Sequence, residues 1–170
     1  MLSIASVLVS TLLAAPALVP FTESAVLESP ARHVRAADPM LRVLLRRGYR
    51  ESPSFAALIT RLQHSDVYVY VEAVARLPRA LDARLLMVPG AQNQRYVRVQ
   101  IGARGAAEDL IALLGHELQH AVEVADALQV RNENDLATLY QHIGIRGGLH
   151  TYDTAAAQDM GRMVRRELRS

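Results

Sequence analysis

A long stripe of apolar side chains constrains the fold of this chain more than any other sequence feature. From Ala106 onward, apolar residues recur at steps of three and four: Leu110, Leu114, Leu118, Ala121, Ala125 and Leu128. This spacing is typical of an α-helix of about five turns that buries one face. His116 and His120 lie about 120° away from the stripe at about 100° per residue. The sequence therefore predicts a core helix whose other face borders a cleft.

The segments around this stripe predict an α+β fold. Helical spacing predicts a helix over residues 39–47 that ends at Gly48, and a second helix that begins after the Ser52-Pro53 cap. Two later helices are predicted over residues 134–143 and 154–168, joined by a loop over 144–152. Strand patterns occupy residues 67–71, 84–88 and 95–101. The turn pair Pro89-Gly90 predicts that the last two strands form an antiparallel hairpin. We therefore expect a short, mostly antiparallel sheet, the long helix and a helical C-terminal part.

The N-terminal segment has the pattern of a targeting signal rather than of a folded part of the domain. Residues 1–22 contain no charged side chain, and Ala15-Pro16-Ala17 is an A-x-A-type cleavage site. We expect a signal peptide and an exported, periplasmic or secreted protein. The alternative is an uncleaved membrane anchor formed by residues 2–21, although Pro16 and Pro20 disfavour a continuous helix. Residues 23–38 are predicted to be a linker, and residues 39–170 the single functional domain.

Composition excludes several classes of function. The 170 residues include no Cys, which rules out disulfide scaffolds, thiolate metal sites and lipoprotein acylation. The content of 51% hydrophobic and 21% charged residues argues against a disordered chain. All 19 basic residues are Arg, they are scattered, and the net charge is only +2. We therefore expect no nucleic-acid partner.

The histidine pair belongs to a motif with defined chemistry. The run His116-Glu117-Leu118-Gln119-His120 places two imidazoles one helical turn apart on the same face, where their nitrogens can converge on one cation. Neutral imidazole is a good ligand for Zn²⁺, and two such ligands leave room for a third protein ligand and a water. Glu117 adjoins the first ligand, where a carboxylate can accept a proton from that water.

Residues 95–127 resemble the core of a zincin metallopeptidase, in which an amphipathic strand precedes the motif helix. The resemblance implies a Zn²⁺-dependent peptidase acting on a peptide or protein, with His116 and His120 as ligands and Glu117 as general base. It also implies that strand 95–101 docks an extended substrate by edge pairing. The run 116–122 is similar to gluzincins, but residues 139–141 lack the Glu of that subfamily. Glu123 and Asp126 occupy the positions that metzincins fill with Gly and His.

The third metal ligand has several candidates. Asp153 is favoured because we expect it on the last helix, which can pack back against the motif helix. Glu123 lies on the histidine face, but helical side chains lean toward the N-terminus, so a partner to an imidazole N–H is its more natural role. The remaining candidates are Glu133 or Asp135, and Asp159 or His150.

Two readings compete with a peptidase. The first is a non-catalytic, zincin-like metal-binding or regulatory module, and the second is a membrane-tethered structural protein whose histidines are incidental. Tyr140, Tyr152, His142 and His150 could each stabilise an oxyanion, although packing or loop hydrogen bonds suffice to explain them.

Overall fold

The computed structural model describes residues 32–77, 81–90, 93–102, 104–148 and 151–170. Within these ranges the chain is an α+β protein. In chain order the elements are β1 (Val34–Ala36), α1 (Pro39–Glu51), α2 (Pro53–Gln63), β2 (Val67–Val74), β3 (Ala83–Val88), β4 (Arg95–Gly102), α3 (Ala107–Asp126), α4 (Glu133–Ile143), β5 (Ile145–Gly148), β6 (Thr151–Asp153) and α5 (Ala155–Glu167). The predicted signal peptide or anchor lies outside the described residues. Within the described ranges, no helix combines the length and apolar character needed to cross a membrane.

The main sheet is mixed, so the prediction of a mostly antiparallel sheet is wrong. Its strand order is β1-β2-β4-β3. β1 pairs with β2 and β2 pairs with β4 in parallel, whereas β3 and β4 form the predicted antiparallel hairpin. Helices α1 and α2 connect β1 to β2, as a parallel pair requires a crossover. The linker prediction is therefore wrong for Val34–Ala36, which form β1.

Strand β4 lies inside the sheet, which corrects a second expectation. It is paired with β2 on one side and with β3 on the other. Both rows of its backbone hydrogen-bonding groups are therefore engaged, and it cannot dock a substrate by edge pairing. The edges of this sheet are β1 and β3.

Helix α1 does not end at Gly48 as predicted but continues to Glu51. A Cβ added at Gly48 would lie 2.9 Å from Ile111 Cγ2 and 3.0 Å from Phe55 Cδ1, so this glycine permits close packing rather than helix termination. Ser52 then caps α2 by accepting a hydrogen bond from the Phe55 N–H. The predicted apolar stripe also ends early, since α3 stops at Asp126 and Leu128 is 67% exposed.

Helix α3 lies at the centre of the fold between the sheet and α5. Its stripe residues Leu114 and Leu118 are fully buried, as are Val97 and Val99 on the facing side of β4. On the opposite side, α3 approaches α5 closely at Gly115, where an added Cβ would lie 2.9 Å from Val164 Cγ2. This close packing brings the first turn of α5 beside the histidine face of α3.

Candidate metal centre

Three side chains from two parts of the chain converge beside α3. His116 and His120 project from the helix, and Asp153 is the last residue of β6, immediately before α5. Asp153 Oδ1 lies 3.3 Å from His116 Nε2 and 3.6 Å from His120 Nε2. One ligand atom from each residue lies within 4.8 Å of the other two, so the group could hold a metal ion. Asp153 was expected on the last helix, but it precedes that helix by two residues.

The imidazole atoms that face away from Asp153 are also held in place. His120 Nδ1 lies 2.8 Å from Glu123 Oε2, and the backbone of Ala157 in α5 lies beside the His116 ring, where it favours protonation of that ring. Histidines that bind metals commonly donate the second ring N–H to a carboxylate or carbonyl, which fixes the tautomer and the ring orientation. The centre therefore has the outer contacts that metal-binding histidines require. Glu123 lies among these outer contacts rather than in the ligand group.

Asp153 is oriented by the start of α5. Its Oδ1 accepts a hydrogen bond of 2.7 Å from the Thr154 N–H, and its Oδ2 accepts one of 2.9 Å from the Gln158 amide. Burial favours the neutral carboxyl, but the His120 ring 3.6 Å away and the hydrogen bond from Gln158 outweigh burial and hold the pKa of Asp153 well below its ordinary value. Asp153 therefore stays ionised over the physiological pH range, as a metal ligand must.

Glu117 is buried beside this group, close enough to His120 for the two charges to interact. Its side chain is 5% exposed, and Oε2 has no hydrogen-bond partner among the described residues. Burial raises the pKa of Glu117 to about 7, although the neighbouring His120 opposes the shift. A carboxylate with a pKa near neutrality is a better proton acceptor than an exposed one, so Glu117 suits general-base chemistry.

The charges of the centre favour a cation. Burial lowers the pKa of His116, and the proximity of His120 lowers it further. Burial also opposes protonation of His120, but the Asp153 carboxylate 3.6 Å away and the hydrogen bond with Glu123 raise its pKa to about 9. In the absence of a metal, a proton on His120 therefore balances part of the surrounding carboxylate charge. A divalent cation at the Nε2 atoms can take over that role.

Tyr140 borders the same region from α4. Its ring meets the His120 ring edge-on, with 5.3 Å between the centroids. The hydroxyl is buried and forms no hydrogen bond within the part of the chain that the structure describes. Burial raises the pKa of Tyr140, and nearby carboxylates add to the shift, so the hydroxyl stays protonated and can donate. Of the oxyanion candidates, His142 is exposed, with Nδ1 2.7 Å from the Thr138 carbonyl oxygen.

The other candidate ligands make structural contacts elsewhere or lie outside the residues that the structure describes. Glu133 accepts a hydrogen bond of 2.7 Å from the Met87 N–H on β3, and Asp135 accepts one of 2.9 Å from the Arg131 N–H before α4. Asp159 forms an exposed pair with Arg162. His150 and the Tyr152 side chain lie outside the described part of the chain.

Comparison with known proteins adds no relative. No family model matches the chain. No curated protein matches it, and no solved structure does either. Function is therefore inferred from the chemistry of the centre and from the motif on α3.

Sequence reasoning missed the part that the first turn of α5 plays in the centre. Thr154, Ala157 and Gln158 contact Glu123, His116 and Asp153, respectively. Thr154 could be recognised as the start of a helix, because a threonine before a helical pattern is a common cap. Nothing in the local sequence indicates that this turn packs against the histidine face of α3.

Proposed function

We propose that this protein is a Zn²⁺-dependent hydrolase that cleaves peptide bonds. His116, His120 and Asp153 are the metal ligands in this proposal, and Glu117 is the general base. The observation that supports it most is the convergence of three ligand atoms within 4.8 Å, next to a buried carboxylate with an unpartnered oxygen. A structural metal site would not require that additional carboxylate.

The donor set favours zinc over other common divalent ions. Two imidazole nitrogens and one carboxylate oxygen are a familiar ligand set of catalytic Zn²⁺, whereas Ca²⁺ and Mg²⁺ prefer oxygen ligands. Three protein ligands leave one tetrahedral position open. The side chains of His116 and Asp153 are 21% and 31% exposed, so the centre is reachable from solvent. When bound, the metal would acidify a water and polarise a carbonyl.

Glu117 and Tyr140 supply the remaining chemistry. The unpartnered Oε2 of Glu117 is a buried acceptor, and leaving such an atom without a partner costs about 1–3 kcal/mol. A nucleophilic water that donates a hydrogen bond to Oε2 would remove that cost. The water would pass this proton to the Glu117 carboxylate as the water oxygen attacks the carbonyl carbon of the substrate. The same Glu117 then returns the proton to the leaving amine. The protonated Tyr140 hydroxyl remains available to donate to a developing oxyanion.

The choice of peptide bonds rests on the motif. Residues 116–122 resemble zincin peptidases, and that resemblance implies a peptide or protein substrate. With β4 inside the sheet, recognition of an extended substrate does not use that strand. Export through the N-terminal segment remains part of the proposal, and N-terminal sequencing of the mature protein distinguishes a cleaved signal from a retained anchor.

Glu117→Gln tests the proposed chemistry while preserving the size of the side chain. Loss of a general base reduces the rate by about 10²–10⁴-fold. We expect this loss in peptide-library cleavage, with bound zinc unchanged by elemental analysis. Glu108→Gln is the matched control, because Glu108 lies in the first turn of the same helix and pairs with Arg47.

Two results would contradict the proposal. Cleavage at the wild-type rate by zinc-loaded Glu117→Gln would remove Glu117 from the mechanism. Stoichiometric zinc in a wild-type protein that cleaves no peptide in the library would replace the hydrolase with a non-catalytic metal-binding module.

A further inference from the structure

We propose that Thr154 is a positioning residue of the metal centre, acting through Glu123 on the ring of His120. The Thr154 hydroxyl donates a hydrogen bond of 2.6 Å to Glu123 Oε1. The other carboxylate oxygen, Oε2, lies 2.8 Å from His120 Nδ1. This inference rests on the metal site of the proposed function but not on peptide cleavage.

Capping of α5 does not by itself account for the Thr154 contacts. As the cap, the Thr154 oxygen accepts a hydrogen bond of 3.1 Å from the Ala157 N–H, which leaves the hydroxyl proton free. That proton is directed to Glu123, a carboxylate only 9% exposed. A buried carboxylate is stable only when its oxygens are hydrogen-bonded, so Thr154 fixes the orientation of the Glu123 side chain.

The orientation of Glu123 determines which nitrogen of His120 faces the ligand group. With Thr154 on Oε1, the second oxygen is held opposite Nδ1 and accepts the proton that this nitrogen carries. The other ring nitrogen, Nε2, is then directed toward Asp153 Oδ1, 3.6 Å away. Without the hydroxyl, Glu123 loses one of its two partners and the His120 ring loses its fixed support.

Thr154 also connects the two parts of the centre. It directly follows Asp153, and its backbone N–H donates to the carboxylate of that ligand. A single residue at the start of α5 therefore contacts one ligand directly and a second ligand through Glu123. Removal of the hydroxyl should weaken metal binding while all three ligands remain.

The chain contains a matched control for the loss of a helix cap. Ser52 is fully buried, caps α2 by accepting from the Phe55 N–H, and donates a hydrogen bond of 2.5 Å to the Glu167 carboxylate. Thr154 and Ser52 therefore make the same two kinds of bond. Both partners of the Ser52 hydroxyl, the Phe55 N–H and Glu167, lie outside the group His116, His120, Asp153 and Glu123. Ser52→Ala therefore reports the combined loss of a cap and a carboxylate hydrogen bond away from the metal centre.

The experiment measures Zn²⁺ affinity by chelator competition and the visible spectrum of the Co²⁺ form, using the full chain. Loss of an outer partner of a metal ligand typically weakens affinity by about 10–100-fold, and we expect this for Thr154→Val with altered Co²⁺ bands. Ser52→Ala and Thr154→Ser should both bind like the wild type, because the first leaves the centre intact and the second restores the hydroxyl. Glu123→Ala, which retains the α5 cap, should weaken binding as well.

Metal affinity equal to wild type in Thr154→Val and Glu123→Ala would overturn this inference alone. If Ser52→Ala weakened metal binding as much as Thr154→Val does, the inference would also be overturned, because the loss of a helix cap would then explain the effect. A wild-type protein that binds neither ion would overturn both the inference and the proposed function. A wild-type protein that binds Zn²⁺ but cleaves no peptide, with Thr154→Val weakened as expected, would support the inference and contradict only the proposed hydrolysis.

Discussion

Arg95 connects the sheet to the C-terminal end of α3, and its replacement by Met should strongly destabilise the fold. The Arg95 side chain is 1% exposed, and its guanidinium pairs with both carboxylate oxygens of Asp66, at 2.5 and 2.9 Å. It also donates to the carbonyl oxygens of Val124, Ala125 and Ala127 at the C-terminal end of α3. That last turn contains no basic residue, so Arg95 supplies the positive charge that the helix end favours.

The magnitude follows from burial of the Arg95 side chain, whose partner Asp66 is 29% exposed. Arg95→Met leaves Asp66 without its partner and the carbonyl groups of α3 without donors, while much of the side-chain volume is retained. Removal of one member of a fully buried pair costs about 3–5 kcal/mol, and this range is the upper bound here because Asp66 is partly exposed. The hydrogen bonds from Arg95 hold the pKa of Asp66 below its ordinary value of 3.8. The stabilisation is therefore complete above that value and is lost as the pH falls through the lower folded pKa, so the difference between the two proteins narrows in acid.

Chemical denaturation at neutral pH measures this cost, and Arg98→Met provides the control. Arg98 lies on the same strand but on the opposite face, where it pairs with Glu72 and both side chains are more than 40% exposed. Exposed pairs contribute about 0–1 kcal/mol. A loss for Arg95→Met no larger than that for Arg98→Met would refute the proposed anchoring role of Arg95.

Two further predictions concern the packing and the pH dependence of the fold. Gly115→Ala should destabilise the protein, because overpacking against Val164 costs about 1–3 kcal/mol and exceeds the gain of about 1 kcal/mol in helix propensity. On a Val164→Ala background the same substitution should become neutral or stabilising, and additive effects in denaturation would contradict this. Burial disfavours ionised Glu167, but hydrogen bonds from Ser52 and Ser54 outweigh burial and lower its pKa. Wild-type stability should therefore fall below pH 4.5, the ordinary pKa of this group, more steeply than that of Glu167→Gln, and parallel curves would contradict the assignment.

Local patterns were sufficient to predict the elements with strong periodicity. The stripe from Leu110 to Leu118 is buried, and the alternation of β4 places Val97, Val99 and Ile101 inside as expected. The same alternation also places Arg95 inside, but a strand pattern does not reveal which buried acceptors a charged residue will find. In this protein the acceptors come from Asp66 and from the end of α3, which are distant in sequence.

Short elements and contacts between distant segments could not be predicted in the same way. Val34–Ala36 form a strand of three residues, too short for a recognisable alternation, and their pairing with β2 depends on a crossover through two helices. The sequence favours Asp153 as a ligand because it is expected on the last helix, which can pack against α3, but Asp153 lies in β6 and its position depends on pairing with β5. The bond between Thr154 and Glu123 joins residues 31 positions apart, and no local pattern indicates it.

Metal content of the purified protein decides whether His116, His120 and Asp153 form a metal site. We expect one equivalent of zinc per chain in the wild type, and loss of that metal in His120→Ala and Asp153→Ala. Asp159→Ala should retain the metal, because Asp159 is an exposed residue of α5 that pairs with Arg162. A wild-type chain without bound metal after zinc loading, or an Asp153→Ala variant that binds zinc as tightly as Asp159→Ala, would contradict the account.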